Sequence, residues 1–322
     1  TTWNGFVMQN GQTSGNGGGA YLQNKGVLSQ CEIMGCNANG GGGVYVSAGT
    51  ISECLITDCT ASNGGGVNCT NKAVISSCRI AGNNATGAGG GVYTYNSTIV
   101  DCDIIDNETS GSGGGVYCYY STHVLNTQVS PSDILRCIIS GNHSSNSGGG
   151  VCFGFANDKL NNCLVSNNSS NTTGGGVFGK GRINNTTIVR NYSTGEGGGL
   201  NAGSYNSYYS GNIMALNNCV VWGNVSNGGS NNIKGSSNTC TCSYSAIEEG
   251  YSGTGNILLD ETNQPHFVNP AHTAGFDDST DNVDWHLQQA SVCINRGDNS
   301  AVTDTLDLDG NARIQRDTVD MG

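Results

Sequence analysis

The stretch Ile75-Ser76-Ser77-Cys78-Arg79-Ile80, followed by Asn83, by Gly89-Gly90-Gly91-Val92-Tyr93 and by Ile99-Val100-Asp101-Cys102-Asp103-Ile104, contains one full period of a repeat. Outward from it, a Gly triplet followed by an apolar residue recurs with its last glycine at Gly19, Gly43, Gly66, Gly91, Gly115, Gly150, Gly176 and Gly199. The steps are 23 to 26 residues, apart from one of 35. Between the triplets runs an aliphatic residue, two others, Cys, one other, then Ile or Val. This element occupies 28–33, 51–56, 75–80, 99–104, 134–139, 160–165, 183–188 and 216–221, with Thr186 in the Cys place of the seventh. Five residues past each Cys place stands Cys36, Cys59, Asn83, Asn107, Asn142, Asn168, Asn191 or Asn224, and Asn10 after Val7 fits the same column.

Helical repeats of this period need Ala/Leu-rich 3.6-residue patterns, and none is present. Each period instead carries two short β-branched stretches bounded by Gly, Asn and Ser. That pattern predicts an all-β solenoid, one coil per period stacked on the last. Nine coils of about 24 residues, spaced by the strand separation of roughly 4.8 Å, make a rod about 40 Å long. The aliphatic, Cys, Ile/Val and Asn columns are expected to face inward. Stacked amides satisfy one another there, and glycine lets coils approach closely and turn with positive φ. Several of these Asn begin N-x-S/T sequons, which read as by-products of the ladder because an inward Asn cannot carry a glycan.

Composition agrees. Gly is 52 of 322 residues, nearly half of it in the eight triplets, while Pro is 3 and charged residues are 11%. The net charge of −12 argues against nucleic acid, whose phosphates need clustered cations. No apolar run is long enough for a transmembrane helix. Residues 1–239 hold ten acids against nine bases and residues 240–322 fourteen against three, so the acidity belongs to the last quarter.

The cadence of Asn-Cys-x-Ile-x-x-Asn and Gly-Gly-Gly-Val-Tyr over residues 1–235 resembles right-handed parallel β-helix proteins of the pectate-lyase-like superfamily. It is similar in style to polymorphic outer-membrane adhesin repeats. The resemblance implies a right-handed single-stranded parallel β-helix over 1–239. Beyond it, Pro265-His266-Phe267-Val268-Asn269-Pro270, Trp285-His286-Leu287, Cys293-Ile294-Asn295-Arg296-Gly297 and Asp307-Leu308-Asp309-Gly310-Asn311-Ala312-Arg313 resemble the ending of Bacteroidetes surface proteins called choice-of-anchor Q domains. This implies an acidic capping or anchor-like segment over 240–322, packed on the solenoid end, and a secreted or outer-membrane, cell-surface location. Both ends of the chain read as trimmed, because it opens within a coil and stops after Met321-Gly322.

The fifteen cysteines read mainly as reduced, buried packing residues, with Cys31, Cys54, Cys78, Cys102, Cys137, Cys163 and Cys219 in one column. Cys240-x-Cys242 has no second pair at zinc-site spacing. Asp307, Asp309 and Asn311 place oxygen ligands at alternate positions, a weak calcium loop without the later acidic ligand. No cofactor is otherwise expected. Stacking sets Asp101 against Arg136 and Arg79 against Asp103, which reads as cross-strand pairing rather than catalysis. Glu53, on the same face, reads the same way.

Loop length points to a site. The path from the Gly-Val strand to the next Ile-x-x-Cys strand lengthens after Val116 and again after Leu200, at one corner three coils apart. Long loops of a solenoid gather on the binding face. The expected ligand-binding residues are Tyr119, Tyr120, His123, Phe155, Lys180, Arg182, Tyr205, Tyr208 and Tyr209, tyrosine faces and cations suited to an anionic glycan. The expected partner is a polysaccharide or a host or cell-surface glycan, bound by a monomer without catalysis. The alternative is a polysaccharide lyase or glycoside hydrolase in the same groove, with Lys159, Lys180 or Arg182 as base. Tyr21, Tyr45, Tyr93 and Tyr117 form a further column, read as stacked structure.

Overall fold

Each period closes into a coil of four short strands, not two. The computed structural model describes residues 1–119, 131–154, 157–203, 213–236, 238–270, 274–275 and 283–322. Among these, four parallel sheets run along the rod. Sheet A extends over ten strands from Thr2–Asn4 to Cys240–Ser243, and sheet B over eleven from Val7–Gln9 to Ile257–Leu259. Sheet C has eight, from Asn37–Gly40 to Val225–Ser226, and sheet D nine, from Ala20–Leu22 to Ile233–Lys234. Like stacks on like: Ile75 pairs with Ile51 and Ile99, Ile80 with Ile56 and Ile104, Val92 with Val67 and Val116.

The extra strands come from corners that the sequence pattern hid. The residue before each Cys place is left-handed: Gln30, Glu53, Ser77, Asp101, Arg136, Asn162, Asn185 and Asn218 have φ between 47° and 54°. Such a conformation costs a non-glycine residue about 1–2 kcal/mol. It is held because each corner amide donates to the next coil, as Glu53 N–H does to Ser76 O at 3.0 Å. The Ile-x-x-Cys-x-Ile stretch therefore bends between sheets A and B, and its two aliphatic residues face the core from different walls. The first glycine of each triplet makes the corner from sheet C to sheet D, with Gly89 at φ +69°.

Two polar ladders line the interior. Asn83, Asn107, Asn142, Asn168, Asn191, Asn224 and Asn232 link head to tail, each Nδ2 donating to the next Oδ1 at 2.9–3.0 Å. Each Oδ1 from Asn83 to Asn224 also accepts a backbone N–H from the coil before. In the Cys column the backbone N–H of Cys31, Cys54 and Cys78 points at the sulfur one coil on at 3.4 Å. Thr186 Oγ1 and Ser245 Oγ receive the corresponding amides of Cys163 and Cys219, so the column requires a small acceptor rather than sulfur. All fifteen cysteines are buried free thiols.

The C-terminal segment departs from the expected arrangement in two ways. Strands Cys240–Ser243, Ala246–Glu248 and Ile257–Leu259 continue sheets A and B, so the helix persists past residue 240. The mouth behind them is crossed by residues 250–256: Tyr251 packs on the core, and Asn256 Nδ2 donates to Cys242 O at 3.2 Å. The described residues beyond Leu259 lie against the flank instead of over the end. Phe267, Cys293 and Met321, with Trp285, Leu287 and Val292, cover Val189, Val220, Trp222, Ala246 and Leu259 on the outer face of sheet B. The physical reason is that these last strands carry apolar residues outward, where earlier ones carry Glu32, Arg79 and Asp103. Arg136, bound to both Asp101 and Asp304, and Asn218, bonded to the backbone of Asp298, fasten the segment to the corner between sheets A and B.

Candidate functional site

The outward residues of sheet D form an aromatic column. Register places Tyr21, Tyr45, Asn68, Tyr93 and Tyr117 one above another. Tyr21 and Tyr45 stack with centroids 5.0 Å apart and planes 8° from parallel. Tyr93 stacks on Tyr117 at 5.5 Å and on Tyr119 at 5.4 Å, and Tyr119 meets Tyr95 edge-on at 6.1 Å. The one-coil spacing of parallel strands produces these distances, since it nearly matches offset ring stacking. Burial pushes the Tyr93 and Tyr117 hydroxyls well above the ordinary tyrosine range, so both remain protonated donors. Asn68 interrupts the column. Its Oδ1 and Thr70 Oγ1, on the same outward side of one strand, are buried without a hydrogen-bond partner.

Around the corner, sheet A aligns Thr98, Asp133, Lys159, Arg182 and Ala215 in one outward column. Lys159 Nζ lies 3.1 Å from Asp133 Oδ1, while Arg182 is exposed one rung on. Lys180, two residues before the strand Arg182–Asn184, is only 8% exposed. Asp158, immediately before Lys159–Asn161, is 2% exposed, and its Oδ1 accepts the Ser132 N–H at 2.8 Å. Tyr119, Lys159, Lys180 and Arg182 thus lie along the edge where sheet D turns into sheet A. Tyr120, His123, Phe155, Tyr205, Tyr208 and Tyr209 lie outside the described residues. Sequence reasoning did not single out Asp158 or the Asn68–Thr70 pair. The break in the tyrosine column at Asn68 was the available signal.

The loop of Asp307, Asp309 and Asn311 has its carboxylates engaged by protein. Asp307 Oδ1 accepts the N–H groups of Asp309 and Asn311 at 3.1 and 2.7 Å. Asp309 Oδ2 meets His286 Nε2 at 2.7 Å, and His286 Nδ1 meets Asp284 Oδ1. Asp309 and then Asp284 raise the His286 imidazole above its ordinary value. The His286 N–H, and then its ring, hold the Asp284 carboxyl below the usual range. The raised histidine stabilises the contact below its unfolded value of about 6.5 and loses that contribution as pH rises through the folded value. The depressed aspartate contributes above its own unfolded value and loses that contribution on acidification. The latch is therefore tightest in mildly acidic solution. In an NMR titration the His286 midpoint should lie above that of a free histidine and fall back in Asp309→Asn; an unshifted midpoint in the native protein would refute the latch.

A family model described as "Right handed beta helix region" matches residues 3–133. Among solved structures the chain is similar to one titled "Crystal structure of pectate lyase Pel9A", at 12% identity and a TM-score of 0.49, with 96% of this chain and 87% of that chain covered. No curated protein matches. The chain is a right-handed parallel β-helix of about nine turns. Its distinguishing marks within that architecture are the tyrosine column, the charged column beside it and a C-terminal segment laid along sheet B.

Proposed function

We propose that this β-helix is a secreted or cell-surface carbohydrate-binding protein, adhesin-like and without catalysis, which holds an acidic glycan along the edge between sheets D and A. The observation that supports the reading is that Tyr93, Tyr95, Tyr117 and Tyr119 stack on the outward side of sheet D, while Lys159 and Arg182 share an outward column of sheet A, the next wall of the coil. Tyrosine rings and protonated hydroxyls suit the apolar faces and hydroxyls of sugars, and the cations suit carboxylates or sulfates. The coils repeat at roughly 4.8 Å, so the edge favours an extended chain over a single small molecule. A second reading, elimination or hydrolysis of an acidic glycan, draws on the presence of Lys180 and Asp158, both buried, at the same corner.

A panel of acidic and neutral polysaccharides tests both. Binding to at least one acidic glycan is expected, weakened about tenfold by Tyr119→Ala, the equivalent of about 1.4 kcal/mol, and weakened further with Arg182→Ala. No binding to any glycan, or affinities unchanged in both variants, would remove the proposal. Unsaturated or reducing-end product that disappears in Lys180→Ala would replace it with the catalytic reading.

A further inference from the structure

At the C-terminal mouth the inward column of sheet A changes chemistry. Leu28, Ile51, Ile75, Ile99, Ile134, Leu160, Ile183 and Leu216 follow one another rung by rung. The next rung is Cys242, paired with Leu216, and on the same strand Cys240 pairs with Met214. Alternate residues of a strand share a face, so both thiols point inward, and their sulfurs lie 3.9 Å apart. Cysteine is smaller than the aliphatic residues before it. A cavity of about 660 Å³ opens here, lined by Cys240, Cys242, Ser243, Gly250 and Tyr251.

These thiols differ from those of the Cys column. Neighbouring sulfurs and burial hold Cys54, Cys78 and Cys102 well above the ordinary cysteine value. In the Cys column a backbone amide faces each sulfur, whereas the sulfurs of Cys240 and Cys242 face each other. Half of the 3.9 Å separation is less than a metal–thiolate bond of about 2.3 Å, so a single ion can reach both sulfurs, and the near-linear arrangement of a two-coordinate ion requires the two side chains to rotate slightly apart. Among the described residues no three His, Cys, Asp or Glu side chains converge, and the four-ligand set of a structural zinc site is not offered. A pair of soft thiolates alone selects a soft ion of low coordination number.

We propose that Cys240 and Cys242 form a two-coordinate thiolate site for a soft monovalent cation of the copper(I) type, entered through the cavity beside Tyr251. Binding exchanges two S–H bonds for two S–Cu bonds and releases two protons to solvent. The metal enters and stays as copper(I), so no electron is transferred.

The test is an anaerobic titration of the folded protein with copper(I), in competition with a chromogenic copper(I) chelator. The wild-type chain is expected to retain one equivalent. Cys240→Ser and Cys242→Leu should each lose it, whereas Cys163→Ser, within the Cys column, should keep it. Cys242→Leu restores the residue type of the column, so it decides the question even if Cys240→Ser fails to fold by circular dichroism. No retained copper in the wild type, undiminished retention in Cys242→Leu, or retention of zinc in preference to copper(I) would overturn the assignment.

Discussion

Gly149→Ala is expected to destabilise the fold severely. A Cβ at Gly149 would sit 2.4 Å from both Gly175 O and Ser169 O and 2.6 Å from Ser169 C, all backbone atoms of the next coil. No rotamer change relieves that overlap. The coils must part, and parting them breaks the amide bonds from Gly149 to Gly174 O and from Gly150 to Gly175 O. Overpacking in an ordinary core costs about 1–3 kcal/mol because side chains yield. Here only backbone can yield, so a loss above about 4 kcal/mol is expected, within the band reserved for severe lesions. Gly310→Ala supplies the contrast. That glycine has φ +81° with nothing within 4 Å of its Cβ, and the cost should be about 1–2 kcal/mol of backbone strain alone. Urea unfolding of the two variants measures the difference. A Gly149→Ala protein within 1 kcal/mol of wild type, on the order of an ordinary surface change, would show that coil contact is looser than described.

Asn142→Ala should be the most damaging change among the inward side chains. Asn142 Oδ1 accepts from the Asn107 N–H and from Asn107 Nδ2, both at 3.0 Å. Its Nδ2 donates to Ile104 O, Ser140 O and Asn168 Oδ1 at 2.9, 3.1 and 2.9 Å. Truncation strands the two Asn107 donors and removes the donor to Asn168 in a site sealed from water. Each stranded group costs about 1–3 kcal/mol, so a total on the order of 4–6 kcal/mol is expected. Asn83→Cys should cost less, because Asn83 is the first amide of the ladder and Cys59 and Cys36 precede it in the same column. Equal destabilisation by the two substitutions in chemical denaturation would argue against a ladder that acts cooperatively along the rod.

The legibility of the molecule in its sequence followed from what repeats. A column such as Ile75, Ile99 and Ile134 is visible because every coil imposes the same burial on the same position. The Asn ladder was visible for the same reason, as were the stacked tyrosines and the Arg136–Asp101 and Arg79–Asp103 pairs. The corners were not, because Gln30, Glu53, Ser77 and Asp101 share a left-handed φ but no side-chain chemistry. In this fold the conformation is enforced by bonds to the next coil, so residue identity is free to vary there. The placement of the described residues beyond Leu259 was not legible either. Its signal was present in the outward turn of Val189, Val220, Trp222 and Leu259, but that change has meaning only once inward and outward positions on sheet B are known.

The sequence by itself determined the coil, its period and its stacked inward columns, because these depend on local pattern repeated at fixed spacing. Only the tertiary structure decided how many walls each coil has, which flank the acidic segment covers, that Asp309 is engaged by His286, and that Cys240 and Cys242 meet beside a cavity at the C-terminal end. Each of those depends on a single contact between segments that share no repeat. Such contacts are set by the shape of the completed rod, and periodicity carries no record of them.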